Sequence, residues 1–186
     1  VCNSTGSCGD DGIKSAIDWC VGNATTYNIS VISISLGRDS FSSFCDHQSD
    51  PLNITSAINN AAAQNISVTV ATGNDGSSSA ISFPACIQNA TAVGATTKAD
   101  AIASYSNLAG IVSLLAPGGD NSGTASQEIN STYVTGGYLA QSGTSMAAPH
   151  MAGVLALLRD YLKRVGQTKT PKQLESTLNL TGKRIT

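Results

Sequence analysis

At 186 residues the chain is sized for a single domain with a sizeable core. Its net charge of −2 offers no handle to nucleic acid or an anionic membrane. The longest apolar run, Met151 to Leu158 broken by Gly153, falls far short of the ~20 residues of a membrane span. Only 12% of residues are charged and 41% are hydrophobic, with Gly, Ser, Thr, Asn and Ala prominent, as in loop-rich, rigid, often extracellular proteins. No signal peptide is visible and the first residue is Val, so the sequence reads as a mature or excised piece.

The first six residues, VCNSTG, have the look of a strand end, as if the chain began in the middle of a domain. Residues 11–22 then space Ile13, Ile17, Cys20 and Val21 as on a helix, behind acidic starters and ahead of Gly22. SVISISLG (30–37) alternates and is β-branched, which predicts a strand stopping at Gly37. Residues 51–64 open on Pro and carry Leu52, Ile54, Ile58 and Ala62, a second helix. SVTVATG (67–73) is the next strand, followed by a serine-rich surface loop over 76–82. Strands are predicted over 90–97 and 111–118, and a long polar stretch runs from Gly118 to Gly137. A helix from about Thr144 to Val165 and another from Pro171 close the chain. Strands alternating with helices predict one α/β unit around a parallel sheet.

Cysteines at 2, 8, 20, 45 and 86 fit no zinc spacing, and their odd number leaves one thiol over. Eight Asn-X-Ser/Thr sequons begin at Asn3, Asn23, Asn28, Asn53, Asn65, Asn89, Asn130 and Asn179. Chance would give roughly three among 13 asparagines, so the pattern tilts toward an exported protein.

The chemistry is concentrated in SGTSMAAPH, residues 142–150. Small residues let the backbone turn tightly and leave the Ser145 hydroxyl exposed at the mouth of a helix. Thr144 is placed to cap that helix, and the first-turn N–H groups face outward with the positive end of the dipole. Pro149 is tolerated so near the helix start.

The run GTSMAAPH resembles the active-site serine segment of the subtilisin-like serine proteases, the subtilases, and the resemblance spans nearly the whole chain. Ser35-Leu36-Gly37 is similar to the strand that binds substrate backbone on the non-primed side, and Gly6-Ser7 to the opposing substrate strand. Ala71-Thr72-Gly73-Asn74 resembles the segment that walls the primary specificity pocket and ends in the oxyanion-hole asparagine. Thr144 accompanies the serine in the substrate-binding set. Phe83-Pro84-Ala85, Ala92 to Ala95, Ala103 to Asn107 and Leu115 to Gly118 follow in the family's order. The resemblance implies a three-layer α/β fold with a mostly parallel central sheet, here lacking its N-terminal part, so that 1–186 is a partial peptidase catalytic domain. It also implies a secreted serine endopeptidase acting on polypeptides, with Ser145 as nucleophile and Asn74 as oxyanion donor.

The base and its carboxylate belong to two upstream motifs that this sequence does not contain. Of the two histidines, His150 follows Ser145 by five residues on one helix and reads as structural. His47, in FCDHQSDP, reads as a loop residue, and Asp10 and Asp11 as helix starters. An upstream segment carrying Asp and His is therefore an expected partner, and the isolated chain is expected to be inactive. No cofactor is needed for the chemistry, no residue is assigned to a metal, and a structural calcium ion is compatible with the family. The gap from Asn74 to Phe83 is shorter than in familiar members, which leaves the floor of the specificity pocket unassigned. A disulfide between Cys45 and Cys86 is expected to restrain the walls beside Asn74, with Cys2–Cys8 a tight local pair and Cys20 buried. Two other readings compete: a non-catalytic module that holds extended peptides by strand addition, and a plain α/β domain whose serine turn is only a cap.

Overall fold

The structure is a computed structural model that describes residue 2, residues 8–48, residue 50 and residues 52–185. In chain order these form α1 (Asp10–Gly22), α2 (Ala24–Tyr27), β1 (Val31–Ile34), β2 (Arg38–Phe41), α3 (Ile54–Ala63), β3 (Ser67–Ala71) and β4 (Ile81–Phe83). They continue through β5 (Thr91–Thr96), β6 (Leu114–Pro117), β7 (Ile129–Thr132), β8 (Tyr138–Gln141), α4 (Thr144–Arg164) and α5 (Pro171–Thr181). The reading of VCNSTG as a strand end, and the assignments of Gly6 and Ser7, fall outside the described residues.

Strands β1, β3, β5 and β6 form a parallel sheet in that order, with Val31 beside Ser67, Thr69 beside Thr91 and Val93 beside Leu114. Alternation along each strand supplies a separate core to each face. Val68 and Val70 of β3 and Ala92 of β5 turn to one side, where Ile13 and Ile17 of α1 and Ile54 and Ile58 of α3 meet them. Ala71, Val93 and Ala95 turn to the other, onto Ala147, Ala148, Met151 and Leu155 of α4. Helices thus cover both faces, and the three-layer expectation holds. Parallel strands also bring the segments after β1, β3 and β6 to one pole, the usual place for a site in such sheets.

Helix ends follow local chemistry. Asp10 and Asp11 occupy the first turn of α1, and Lys163 and Arg164 the last turn of α4, each favourable to the helix dipole. Thr170 and Gln173 form a reciprocal capping box around Pro171 at the start of α5. Cys45 is bridged to Cys86 and Cys2 to Cys8, as expected from their positions.

Three local readings are corrected. Strand β1 ends at Ile34, so Ser35 to Gly37 run free of the sheet before Arg38 pairs antiparallel with Phe83. Gly37 is needed there, because a Cβ would stand 2.9 Å from Ser82 Cβ. The polar stretch before Gly137 contains half of a hairpin, β7 with β8, turned at Gly136 and Gly137 with φ of 89° and 76°. Cys20 is partly exposed rather than buried, beside Trp19 stacked on Tyr27 at 5.6 Å.

Candidate active site

Ser145 is the second residue of α4, which begins after Gly143. Thr144 does not cap the helix with its side chain; the structure gives that hydroxyl another task. Thr144 is 1% exposed, donates its hydroxyl and its backbone N–H to Asn74 Oδ1, both at 2.9 Å, and accepts the Gly73 N–H at 3.2 Å. With its oxygen doubly engaged, the Asn74 amide is held with Nδ2 toward the nucleophile turn. A Cβ on Gly143 would stand 3.4 Å from Asn74 Nδ2 and 3.6 Å from the Ser145 nitrogen. Because Gly143 has no such atom, a space facing both the Asn74 amide and the Ser145 nitrogen stays open.

The loop that carries Asn74 is shaped by a residue whose role the sequence did not disclose. Asn107 is fully buried; its Oδ1 accepts the N–H groups of Asp75 at 2.9 Å and Ser77 at 3.0 Å. Its Nδ2 donates to Asp75 at 3.0 Å, its backbone N–H bonds the Gly73 carbonyl at 3.0 Å, and its carbonyl accepts the Thr72 hydroxyl at 2.9 Å. One buried side chain therefore ties three polar groups of the turn together. Gly73, at φ 104°, has no alternative: a Cβ would lie 2.4 Å from Asn107 Nδ2 and 2.5 Å from Ser82 Oγ. A buried asparagine paired with a glycine some thirty positions upstream is not a pattern that sequence spacing reveals.

Behind the nucleophile turn, the Gly143 N–H bonds the Gly118 carbonyl at 2.9 Å, and Tyr105 donates its hydroxyl at 2.8 Å to the carbonyls of Gly118 and Gly119. Burial pushes the Tyr105 phenol up to about 12, so it stays a donor at ordinary pH.

A groove at this pole is lined by Ser35, Leu36, Gly37, Ala71, Gly73, Asn74, Thr144 and Ser145, bringing together most of the residues the sequence nominated. Asp75 and Ser82 join them. Thr72 is fully buried and outside this lining; its hydroxyl donates to the Asn107 carbonyl. Ser35 Oγ donates to the Ser145 carbonyl at 2.8 Å, tying the free segment after β1 to the nucleophile turn. A second groove on the far side of Ser145 is walled by Asn121, Glu128, Gln141 and Ser142.

Neither histidine bonds to Ser145. The His150 ring nitrogen Nδ1 meets the Met146 carbonyl of its own helix at 2.7 Å, and His47 is exposed beside the Cys45–Cys86 bridge. Among the described residues the Ser145 hydroxyl reaches the Ser35 carbonyl alone, at a long 3.5 Å. Among the described residues no three His, Cys, Asp or Glu side chains are gathered to hold a metal ion, and no helix is long and apolar enough to cross a membrane.

The parallel α/β sheet thus places a serine at a helix mouth with an asparagine amide held beside it in one groove. The sequence pattern of the subtilase family matches residues 1–184, and the chain belongs to that family. It is 37% identical over 161 residues to a subtilisin-like protease of Coccidioides posadasii, covering 85% of this chain and 36% of that protein. The crystal structure of a cold-adapted subtilisin-like serine proteinase superposes with a TM-score of 0.76 at 36% identity, covering 97% of this chain and 57% of that one. A protease of Pseudoalteromonas arctica gives a TM-score of 0.81 at 32% identity, covering 97% and 54%. The chain spans about half the length, or less, of these relatives.

Proposed function

We propose that the complete protein is a secreted serine endopeptidase in which this chain supplies the nucleophile, the oxyanion donors and one substrate-binding wall. The observation that carries this reading is the Thr144–Asn74 pair of hydrogen bonds, which aims Asn74 Nδ2 into the space it shares with the Ser145 N–H. A helix cap alone would give no reason to fix a neighbouring amide in this way.

In the proposed reaction an extended polypeptide lies along Ser35 to Gly37. A histidine on an upstream segment, oriented by an aspartate on the same segment, takes the Ser145 proton as Oγ attacks the scissile carbonyl. Asn74 Nδ2 and the Ser145 N–H hold the resulting oxyanion. The same histidine protonates the leaving amine, and water then releases the acyl group. No cofactor enters these steps; a calcium ion bound by the complete domain would serve structure alone.

Two surfaces support docking of the upstream segment. The outer edge of β1 is unpaired among the described residues and opens on an apolar groove lined by Ile13, Ile17, Ile32 and Leu36. Helix α4 exposes Val154, Leu157 and Tyr161 at helical spacing, continued by Val165 at its end, a stripe left uncovered by the described residues. Two disulfides and the sequons support secretion.

Fluorophosphonate labelling tests the proposal. The chain joined to its upstream segment is expected to take label on Ser145, and the 186-residue chain alone to take almost none. Labelling of the chain alone that His47→Ala or His150→Ala abolishes would overturn it, and so would an upstream segment that lacks Asp and His motifs.

A further inference from the structure

The proposed reaction uses none of the sequons, and the fold sorts them by place. Asn28, Asn65 and Asn89 each stand just before a parallel strand, β1, β3 and β5 respectively. Parallel direction puts all three at the strand entrances, whereas Ser35, Asn74 and Ser145 gather beyond the strand exits. The five residues of β3 alone separate the two poles by roughly 16 Å.

The side chains differ in what they are free to do. Asn28 closes α2 and Asn65 follows α3, both exposed and both at turns with φ of 53° and 60°. Asn89 is half-buried and donates its amide N–H to Asn59 Oδ1 at 2.9 Å, between the fully buried Ile87 and the buried Ala90. Asn23 gives its amide N–H to the Trp19 carbonyl at 2.8 Å. A sugar placed on either nitrogen before folding would crowd the contact made in the fold, so chains glycosylated there fold less readily and are lost from the secreted protein.

We infer that the protein carries N-linked glycans on Asn28 and Asn65, at the pole opposite the nucleophile, while Asn23 and Asn89 stay bare. The donor class is a lipid-linked oligosaccharide. The amide nitrogen forms a bond to the anomeric carbon, the carbon–oxygen bond to the lipid phosphate breaks, the phosphate leaves with the electron pair, and the amide gives up one proton. At Asn65 the transfer precedes folding. The sequon's hydroxyl residue, Ser67, is fully buried under β1 and α4 and accepts from Arg159 Nη2 at 3.0 Å, out of reach of a transferase. This placement keeps the glycans on Asn28 and Asn65 away from the cleft.

Glycopeptide mass spectrometry on the complete protein, secreted by its own producer, is the test. Sugar mass is expected on the peptides holding Asn28 and Asn65, with unmodified peptides at Asn23 and Asn89. Bare Asn28 and Asn65 would overturn the inference, as would a glycan on Asn89 of the folded protein. Asn28→Gln and Asn65→Gln should each remove one glycan and leave peptide cleavage within about twofold, the scale of neutral surface changes. A loss of tenfold or more in a folded variant would show that these positions are not remote from the cleft. Failure of the serine to react would refute the proposed activity and leave this mapping unaffected.

Discussion

On one side of Ser145 the loop from Gly73 to Ser77 is wound around the buried Asn107 amide; on the other, the β7–β8 hairpin stands in solvent with Val134 90% exposed. The first wall has a glycine that admits no side chain and a disulfide across its neighbouring strands, since Cys45 follows β2 and Cys86 follows β4. The second is held by its own strand pairing. The contrast follows from the demands of each position. Under the proposed function Asn74 must be fixed to a fraction of an ångström, and its bonds to Thr144 with those of Asn107 supply that rigidity. The hairpin carries no residue of the proposed chemistry and has no such requirement.

Changes to the rigid wall should therefore be costly and changes to the hairpin slight. The largest effect on stability is expected from replacing Cys45 and Cys86 together by serine. The bridge closes a loop of 41 residues, worth about 4 kcal/mol in the chain-entropy account, and urea unfolding should show a loss of that order. Gly73→Ala comes next. Its methyl would collide with Asn107 and Ser82 in a left-handed backbone, so about 3 kcal/mol should be lost together with most turnover. If Gly73→Ala melted like the parent and kept its activity, the buried-hub description of this wall would be wrong.

Tyr105 gives a smaller, pH-dependent effect. Its phenol is raised from 10 to about 12 chiefly by burial, so folding favours the neutral form. The stability tied to this is fully present below pH 10 and is lost as pH rises toward 12. Thermal melts across that window should show the decline in the parent and a flatter profile in Tyr105→Phe, which is less stable at neutral pH because it lacks the bonds to Gly118 and Gly119. The smallest effect is expected at the hairpin tip, where Val134→Ser should change unfolding free energy by about 0.5 kcal/mol or less. A loss above about 2 kcal/mol would mean that this hairpin is packed against something in the complete protein.

The sequence disclosed the regular elements and the chemical residues far better than what holds them. Helices α1, α4 and α5 and strands β3, β5 and β6 were legible because apolar periodicity, acidic starters and prolines mark them directly. Strand β4 was hidden in a serine-rich loop because its three residues are too short to show a period. The hairpin was missed although Gly136-Gly137 between β-branched and aromatic residues is a turn signal. At the candidate site, Ser145 and Asn74 are nominated by their motifs, and the fold brings both to one groove. Asn107 was not, since nothing local distinguishes a buried asparagine that organises a distant turn from one that ends a loop. The hydroxyl of Thr144 was read as a cap because helix-start statistics favour it, whereas tertiary contact with Asn74 wins in the fold.

The claim at the centre of this account is that Asn74 stabilises charge that develops only during reaction. Steady-state kinetics of Asn74→Leu in the complete enzyme addresses it most directly. The account predicts that kcat falls by about 10²–10³-fold, the loss measured for such a donor in subtilisin of this same family, while KM changes little. An unchanged kcat, or an effect confined to KM, would contradict it.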